Sequence, residues 1–336
     1  MITELIHKLV DRTNLAETEA AQAMEELMTG RATDAQIAAF LTALRMKGET
    51  AEELIGFARV MREKAEPFWK DETVSVVDIV GTGGDGAGTF NISTASAFVT
   101  AGAGLRVAKH GNRAASSKCG SADVLEALGI DIQMPMDLLR TAVKDIGIGF
   151  LFAPRFHSSM KYVMPTRSQL KMRTVFNILG PLANPARAEF QVVGVFSPAI
   201  MELMANALHG LGVRHAFVVH GNEGVDEVSI AGPTKVIEMR GGELRTEIIT
   251  PEDFGVTPAP AESIQGGDAT VNAAIVESIF RGERGPRRDI VLMNAAPAIV
   301  AGGAATSLRD AFRQAANSID SGAALGKLQS LRELGR

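Results

Sequence analysis

The first 67 residues carry apolar positions three and four apart: Ile2, Leu5, Ile6 and Leu9, then Met24, Leu27 and Met28, then Ile37, Phe40, Leu41 and Leu44. That spacing puts them on one stripe of a helix, and no alternating or continuous apolar run interrupts it. Thr33 with Gln36 and Thr50 with Glu53 have the spacing of a capping box, and Gly30 and Gly48 stand where helices commonly stop. An all-helical N-terminal domain over residues 1–70 is expected. Beyond Pro67 the pattern changes. Residues 74–80 form a short β-branched run, followed by a glycine-rich loop and a helical stretch from Ser93 towards Ala103. Further buried strands are expected at residues 105–108, 149–152, 190–196 and 216–220, with helical patterns between most of them. Residues 235–239 and 243–250, joined at Gly241-Gly242, predict a hairpin, and from Asp268 onward the pattern is mainly helical. The chain reads as α/β: a small all-helical domain plus a larger α/β domain, residues 71–336, with a mostly parallel central sheet covered by helices. His-Gly-Asn occurs at His110 and again at His220, each ending a strand, but the flanking residues do not match, so duplication is poorly supported.

Composition narrows the picture. With 336 residues, 46% hydrophobic and 22% charged, the chain has material for two domains or one large one, and disorder, collagen and small disulfide scaffolds are excluded. Acidic residues outnumber basic ones 39 to 34, so a nucleic-acid or anionic-membrane surface would have to be a local patch, and neither partner is expected. Cys119 is the single cysteine, which excludes an intrachain disulfide and a four-cysteine zinc site and suits a reducing cytoplasm. Residues 1–15 alternate charge with apolar side chains and lack the h-region of a signal peptide. The most apolar later stretch, residues 294–307, is shorter than the roughly 20 residues a bilayer crossing needs. No membrane span is expected.

The candidate chemistry begins with Gly81-Thr82-Gly83-Gly84-Asp85-Gly86-Ala87-Gly88-Thr89-Phe90-Asn91-Ile92-Ser93-Thr94, between a strand and a helix. Glycine permits positive φ and close approach, so backbone N–H groups can converge on an anion, and the helix N-terminus adds partial positive charge. The alternative is a mobile surface turn, which the flanking strand and helix make the weaker reading. Gly81 to Gly86 also matches G-x-G-x-x-G, but the acidic residue that would hold a dinucleotide ribose is missing: there is no Asp or Glu from Gly86 through Ala122. Arg106, Lys109, Arg113 and Lys118 instead give that window a charge of +4, which suits several phosphates on one ligand. Asp85 would be repelled by bound phosphate unless it meets sugar hydroxyls or the shell of a metal, so a phosphorylated sugar is indicated.

Asp226-Glu227 follows the strand ending at His220 and the turn Gly221-Asn222-Glu223-Gly224, at the edge of a parallel sheet where ligands usually sit. Adjacent carboxylates with few nearby cations can hold Mg²⁺, which keeps waters and substrate phosphates; without a phosphate loop the same pair reads as a solvated turn. Around Pro154-Arg155-Phe156-His157 and Pro165-Thr166-Arg167 lie Lys161, Arg167, Lys171 and Arg173. Arg167 can pair bidentately with a carboxylate or stand exposed at a helix start. His157 reads as a capping or core histidine. Cys119 has no triad partner at a recognisable spacing and reads as a small loop residue.

Taken together, Gly81-Thr82-Gly83-Gly84-Asp85, Asn91-Ile92-Ser93-Thr94, Lys109-His110-Gly111-Asn112-Arg113, Ser121-Ala122-Asp123, Asn177-Ile178-Leu179-Gly180-Pro181-Leu182 and Asp226-Glu227 closely resemble the anthranilate phosphoribosyltransferase family, nearly end to end. Ser158 stands where proline is expected, Cys119 where serine is common and Ala183 where threonine is common. None of these three is expected to touch a ligand. The resemblance implies transfer of a ribosyl phosphate from phosphoribosyl pyrophosphate to the amino group of anthranilate, with Mg²⁺ as cofactor. It also implies a homodimer built through the helical domain, which helices within about 165–185 would join. By motif match, phosphoribosyl pyrophosphate would be bound by Gly81, Gly84, Asp85, Thr89, Asn91, Ile92, Ser93, Thr94, Lys109, His110, Gly111, Asn112, Arg113, Ala114, Ala115, Ser116, Ser117 and Ser121. Ser93, Asp226 and Glu227 would hold Mg²⁺, and Gly81, Asn112 and Arg167 would meet anthranilate. No dedicated acid or base is implied.

Three other readings make different demands. A pyrimidine nucleoside phosphorylase shares the helical-plus-α/β architecture but has a different phosphate-loop pattern and no use for Asp226-Glu227. A non-catalytic, nucleic-acid-binding relative of the fold is opposed by the intact loop and the net charge of -5. A nicotinamide oxidoreductase lacks its ribose carboxylate.

Overall fold

The computed structural model describes residues 1–70, 74–114 and 118–335. Four helices open the chain: α1 (Ile2–Val10), α2 (Glu17–Met28), α3 (Asp34–Lys47) and α4 (Ala51–Lys64). Both expected capping boxes form. Thr33 N–H donates to Gln36 Oε1 at 3.0 Å and Gln36 N–H returns to Thr33 Oγ1 at 3.3 Å; Thr50 and Glu53 exchange the same pair at 2.9 and 3.3 Å. Gly48 ends α3 at a φ of +90°, a conformation that disfavours residues with a Cβ.

Seven strands follow: β1 (Val77–Gly81), β2 (Val107–Gly111), β3 (Ile148–Phe152), β4 (Phe190–Gly194), β5 (His215–Gly221), β6 (Thr234–Arg240) and β7 (Glu243–Ile249). Their order across the sheet is β3-β2-β1-β4-β5-β6-β7. The first five are parallel, and the hairpin β6–β7 closes the edge antiparallel to β5. Every expected strand is present, with shifted ends: β1 starts three residues late, β2 runs on through Gly111, and β4 stops at Gly194. After β1 the chain winds outward through β2 and β3 and then returns to lay β4 on the other side of β1. The sheet therefore reverses direction between β1 and β4, where parallel sheets leave a crevice beyond their carboxyl ends.

Strand periodicity of two sends alternate side chains to two separate cores. Val192, Phe217, Val219 and Val236 join the core under α5 (Ile92–Gly102) and the helices Pro286–Ala301, Leu308–Asp320 and Ala323–Leu334. Val193, Val195, Ala216, Val218, Ile237 and Met239 face the other way, into a core that contains α1–α4, the helix Met201–Gly210, and Val163, Val175, Phe176, Ile178, Leu179 and Leu182. The N-terminal helices thus share their core with one face of the sheet and with the segment around residues 163–182. Arg62 on α4 adds two bonds across the junction, from Nε to the Leu182 carbonyl at 2.7 Å and from Nη1 to the Leu211 carbonyl at 3.1 Å. Among the described residues, no helix is long and apolar enough to cross a membrane.

Inside the helical layer, Glu53 is fully buried, pairs with Lys47 at 3.0 Å, and accepts from the N–H groups of Leu15 and Thr50, both at 2.9 Å. Glu53→Ala takes the carboxylate from the buried Lys47 ammonium, which keeps only Asn14 Oδ1 and the Gly48 carbonyl, and leaves two amides unpaired; the expected loss is about 3–5 kcal/mol in urea unfolding. A loss under 1 kcal/mol would show that this pair does not hold the bundle.

Candidate active site

The carboxyl ends of β1, β4 and β5 converge on Asp226. Gly81 and Gly194 are register partners at the ends of β1 and β4, and neither position has room for a side chain: a Cβ on Gly81 would run into the Asp226 carboxylate, and one on Gly194 into the Asp226 carbonyl. The loop after β5 packs directly on these strand ends. Gly83 N–H donates to Asp226 Oδ2 at 2.7 Å, and Asp226 N–H reaches Asp85 Oδ2 at 3.4 Å. Gly83, Gly84, Gly86 and Gly88 all have φ between +66 and +77°, a left-handed backbone that glycine enters without strain and that lets the chain turn tightly here. The far limb of the loop is pinned from residues 264–266. Thr89 bridges Gln265, Gly266 N–H donates to the Gly88 carbonyl at 3.0 Å, and Gln265 Nε2 donates to the Ala87 carbonyl at 2.9 Å.

Electrostatically the site is short of positive charge. Burial, followed by the neighbouring Asp85 carboxylate, pushes Asp226 up to about 7. Burial and then Asp226 raise Glu227 well above the carboxylate range, against the pull of Lys109. Lys109 itself is buried on β2, donating to the Ile79 carbonyl and to Ser93 Oγ at 3.3 Å, and burial lowers its pKa against the attraction of Asp78, Glu227 and Asp226. Asp78, fully buried on β1, is raised by burial to about 6 and receives Asn184 Nδ2 at 2.8 Å and His110 N–H at 3.2 Å. Asp85, Asp226 and Glu227 meet around one strand end with one buried lysine, and a divalent cation would hold Asp226 and Glu227 ionised against their burial. Among the described residues no three His, Cys, Asp or Glu side chains form a ready cage. The donor set therefore fits a hard ion that brings its own waters and shares oxygens with a ligand, as Mg²⁺ does.

Of the residues singled out from sequence, Gly81, Gly84, Asp85, Ser93, Lys109, Asp226 and Glu227 gather at these strand ends and on the first turn of α5. Ile92 and Thr94 face the interior, so only their backbone is available to a ligand there. His110 is buried on the opposite face of β2, with Nδ1 3.2 Å from the Gly180 carbonyl and its ring against His157; burial drives His110 to about 3 and His157 to about 4, so both are neutral. Ser121 Oγ donates to the Asn112 carbonyl at 3.1 Å, and Gly111 makes room for it. Ala115, Ser116 and Ser117 lie outside the described residues. Arg167 is half-buried, stacks 4.9 Å from the Phe176 ring centre, and has no carboxylate partner among the described residues; burial lowers its pKa.

The fold adds two details to the sequence reading. Carboxylates from outside the +4 window meet it in space: Arg113 is held by Asp123 at 3.0 Å and by both oxygens of Glu126 at 2.6 and 2.8 Å, and Asp78 lies beside Lys109. The missing acids were supplied from just beyond the window and from β1. Cys119, read as a small loop residue, packs against one of the residues assigned to the donor. Its Sγ donates to Asn91 Oδ1 at 3.3 Å, and Asn91 Nδ2 donates to the Cys119 carbonyl at 3.2 Å. Asn272 completes this junction, donating to Asn91 Oδ1 at 3.0 Å and accepting from Gly267 N–H at 2.7 Å. Asn272 and Gln265 left no signal in the sequence, because their roles depend on a contact some 180 residues away. Asp78 did leave one, as a charge inside an apolar strand run.

Residues 73–325 match the glycosyl transferase family α/β domain, and residues 3–65 match that family's helical bundle domain. The chain is 55% identical to the anthranilate phosphoribosyltransferase of Chloroflexus aggregans over 337 aligned residues, covering 100% of this chain and 98% of that one. It is 53% identical to the Moorella thermoacetica enzyme of the same name, covering 98% and 97%. The chain belongs to the anthranilate phosphoribosyltransferase family. The solved anthranilate phosphoribosyltransferase of Thermus thermophilus superposes with a TM-score of 0.93 at 42% identity, covering 98% of both chains. That of Saccharomyces cerevisiae, in complex with PRPP and Mg, superposes at 0.89 with 29% identity, covering 99% and 97%.

The raised Asp226 gives this family member a pH signature. An unfolded Asp ionises near pH 4, whereas the folded one does so near 7, so the folded state binds the extra proton between these values and loses stability as pH rises through about 7. Asp226→Asn removes that penalty. In urea unfolding without metal, the variant is expected to gain about 1–3 kcal/mol relative to the parent between pH 5 and pH 8. An identical difference at both pH values would mean that Asp226 is not desolvated.

Proposed function

We propose that this chain transfers the phosphoribosyl group of phosphoribosyl pyrophosphate to the amino group of anthranilate, giving N-phosphoribosyl-anthranilate and pyrophosphate. The observation that carries the reading is the meeting of the glycine loop with Asp226 and Glu227 at the reversal of the sheet. The loop amides and the N-terminus of α5 suit phosphate oxygens. Asp85 suits the ribose hydroxyls. The residues that motif match assigns to the donor, from Gly81 to Ser121, are carried into the proposal with Ile92, Thr94 and His110 contributing backbone only.

Ser93, Asp226 and Glu227 would hold Mg²⁺. When bound, the ion offsets charge on the departing pyrophosphate. The bond from the ribose anomeric carbon to the pyrophosphate oxygen breaks with its electron pair leaving on pyrophosphate, the anthranilate nitrogen bonds to that carbon, and the nitrogen then gives up a proton to water. An aromatic amine is already neutral at pH 7, so the protein needs no strong base, and orientation of the two substrates supplies much of the rate. Lys109 tempers the carboxylates from beneath. Arg167, whose guanidinium lacks a carboxylate partner among the described residues, is suited to the carboxylate of anthranilate, together with Asn112 and Gly81.

The same proposal places the division between the helical and α/β domains near residue 70, with residues 165–185 joined to the helices. It pairs two copies through the helical domain. Met1, Val10 and Met46, 54, 65 and 69% exposed at the ends of α1 and α3, are apolar surface that such pairing could cover. A cytoplasmic setting suits a chain with one cysteine.

Loss of anthranilate fluorescence on adding phosphoribosyl pyrophosphate is expected with Mg²⁺ and not without it; no change under either condition would remove the assignment. Asp226→Asn or Glu227→Gln should lower kcat/KM by about 10² or more. Arg167→Ala should mainly raise the KM for anthranilate, and an unchanged KM would take the arginine out of the acceptor site.

A further inference from the structure

Arg173 is the one basic residue of the Lys161–Arg173 group that reaches the glycine loop, and nothing in the reading above uses it. Its Nη2 donates to the Gly84 carbonyl, and its guanidinium lies 4.1 Å from the centre of the Phe196 ring. Phe196 is itself tied to the loop, its N–H donating to Thr82 Oγ1 at 3.1 Å. The three contacts close a ring: Thr82 to Phe196, Phe196 to Arg173, Arg173 to Gly84. Gly84 has a φ of +74°, and a side chain there would point at the guanidinium, so the carbonyl and the arginine are held on the same side of the loop.

Arg173 reaches this position from the acceptor side. Six residues earlier in the chain is Arg167, and between them Lys171 adopts a φ of +48°, a left-handed turn that a non-glycine residue enters only when its surroundings hold it there. Immediately after Arg173, Thr174 N–H is fixed by Asn177 Oδ1 at 2.9 Å. The short run from residue 167 to 174 is held at one end by Arg167 over the Phe176 ring and at the other by Thr174 on Asn177. Arg173 has no carboxylate partner among the described residues. Its geometry is fixed by one carbonyl and one aromatic face, both belonging to the donor cradle.

We propose that Arg173 is a positioning residue that sets the register of the anthranilate-binding segment against the phosphoribosyl pyrophosphate cradle; the proposal rests on the transferase reading above. Bond formation needs the amine and the anomeric carbon in line at near-contact distance, and a misplacement of about 1 Å costs on the order of 10²-fold in rate. Loosening Arg173 leaves the cradle amides and the carboxylates in place, so donor binding survives while the two substrates lose their alignment. Only the planar guanidinium can donate to Gly84 and stack on Phe196 together, so lysine does not substitute for it.

The test measures kcat with both substrates saturating, the Kd of phosphoribosyl pyrophosphate by calorimetry with Mg²⁺, and Tm, for the full chain and for Arg173→Ala, Arg173→Lys and Phe196→Leu. Arg173→Ala and Arg173→Lys are expected to lower kcat about 10- to 100-fold while the donor Kd stays within about threefold and Tm is unchanged. Phe196→Leu, which keeps the cation, should lower kcat in the same direction. Combining it with Arg173→Ala should add less than about twofold, because both act through one contact. An unchanged kcat, a loss confined to the donor Kd, or full additivity of the two substitutions would each overturn the proposal. Absence of turnover in the unaltered chain would instead overturn the transferase reading.

Discussion

The placement of Asp226 and Glu227 in a poorly hydrated pocket at the ends of β1 and β4 governs the rest of the site. Carboxylates stripped of water are costly, and here one buried lysine and a few amides offset only part of that cost. A protein selected only for stability would have apolar or neutral residues at these positions. Retaining the acids makes chemical sense when the folded protein works with a cation and an anionic ligand bound, since each supplies what the other needs. Sites that trade stability for binding in this way are common in enzymes.

That arrangement dictates features of the backbone. Asp226 sits so close to the sheet that residues 81 and 194 have to be glycine, and Thr82 and Phe196 then knit the two strand ends together. The glycine loop gains freedom from its positive φ angles, yet it is anchored at Ala87–Thr89 by Gln265 and Gly266 and at Gly83 by Asp226, while Arg173 ties the acceptor segment to it. A cradle that is permissive at each residue and fixed at its ends can keep its amides available without losing its place. Beneath it, Lys109 links the site to the polar centre of the sheet, where Asp78 and Asn184 hold β1 and β2 in register.

The two cores explain how an acceptor segment comes to meet this cradle. Because β4, β5 and β6 alternate, one face of the sheet is covered by α5 and the C-terminal helices, and the other by the helix Met201–Gly210, on which α4 packs, in one core with α1–α4 and residues 163–182. Thr166 Oγ1 donates to Asp34 Oδ1 at 3.0 Å, which attaches the Arg167 segment to α3. The helical layer therefore contributes to the site indirectly, by carrying the segment that bears Arg167 and Arg173.

Periodicity and capping determined the helices, the strands and the fold class, because these depend on residues a few positions apart. The glycine loop and Asp226-Glu227 were legible for the same reason, each being a compact motif whose chemistry is local. The partners of Arg113, the contact of Cys119 with Asn91, the bracing by Asn272 and Gln265, and the reach of Arg173 to Gly84 were decided only in three dimensions. Each joins residues tens to hundreds of positions apart, or depends on which side chains burial forces together. A linear pattern records which charges and amides exist; it does not record which of them folding leaves without water.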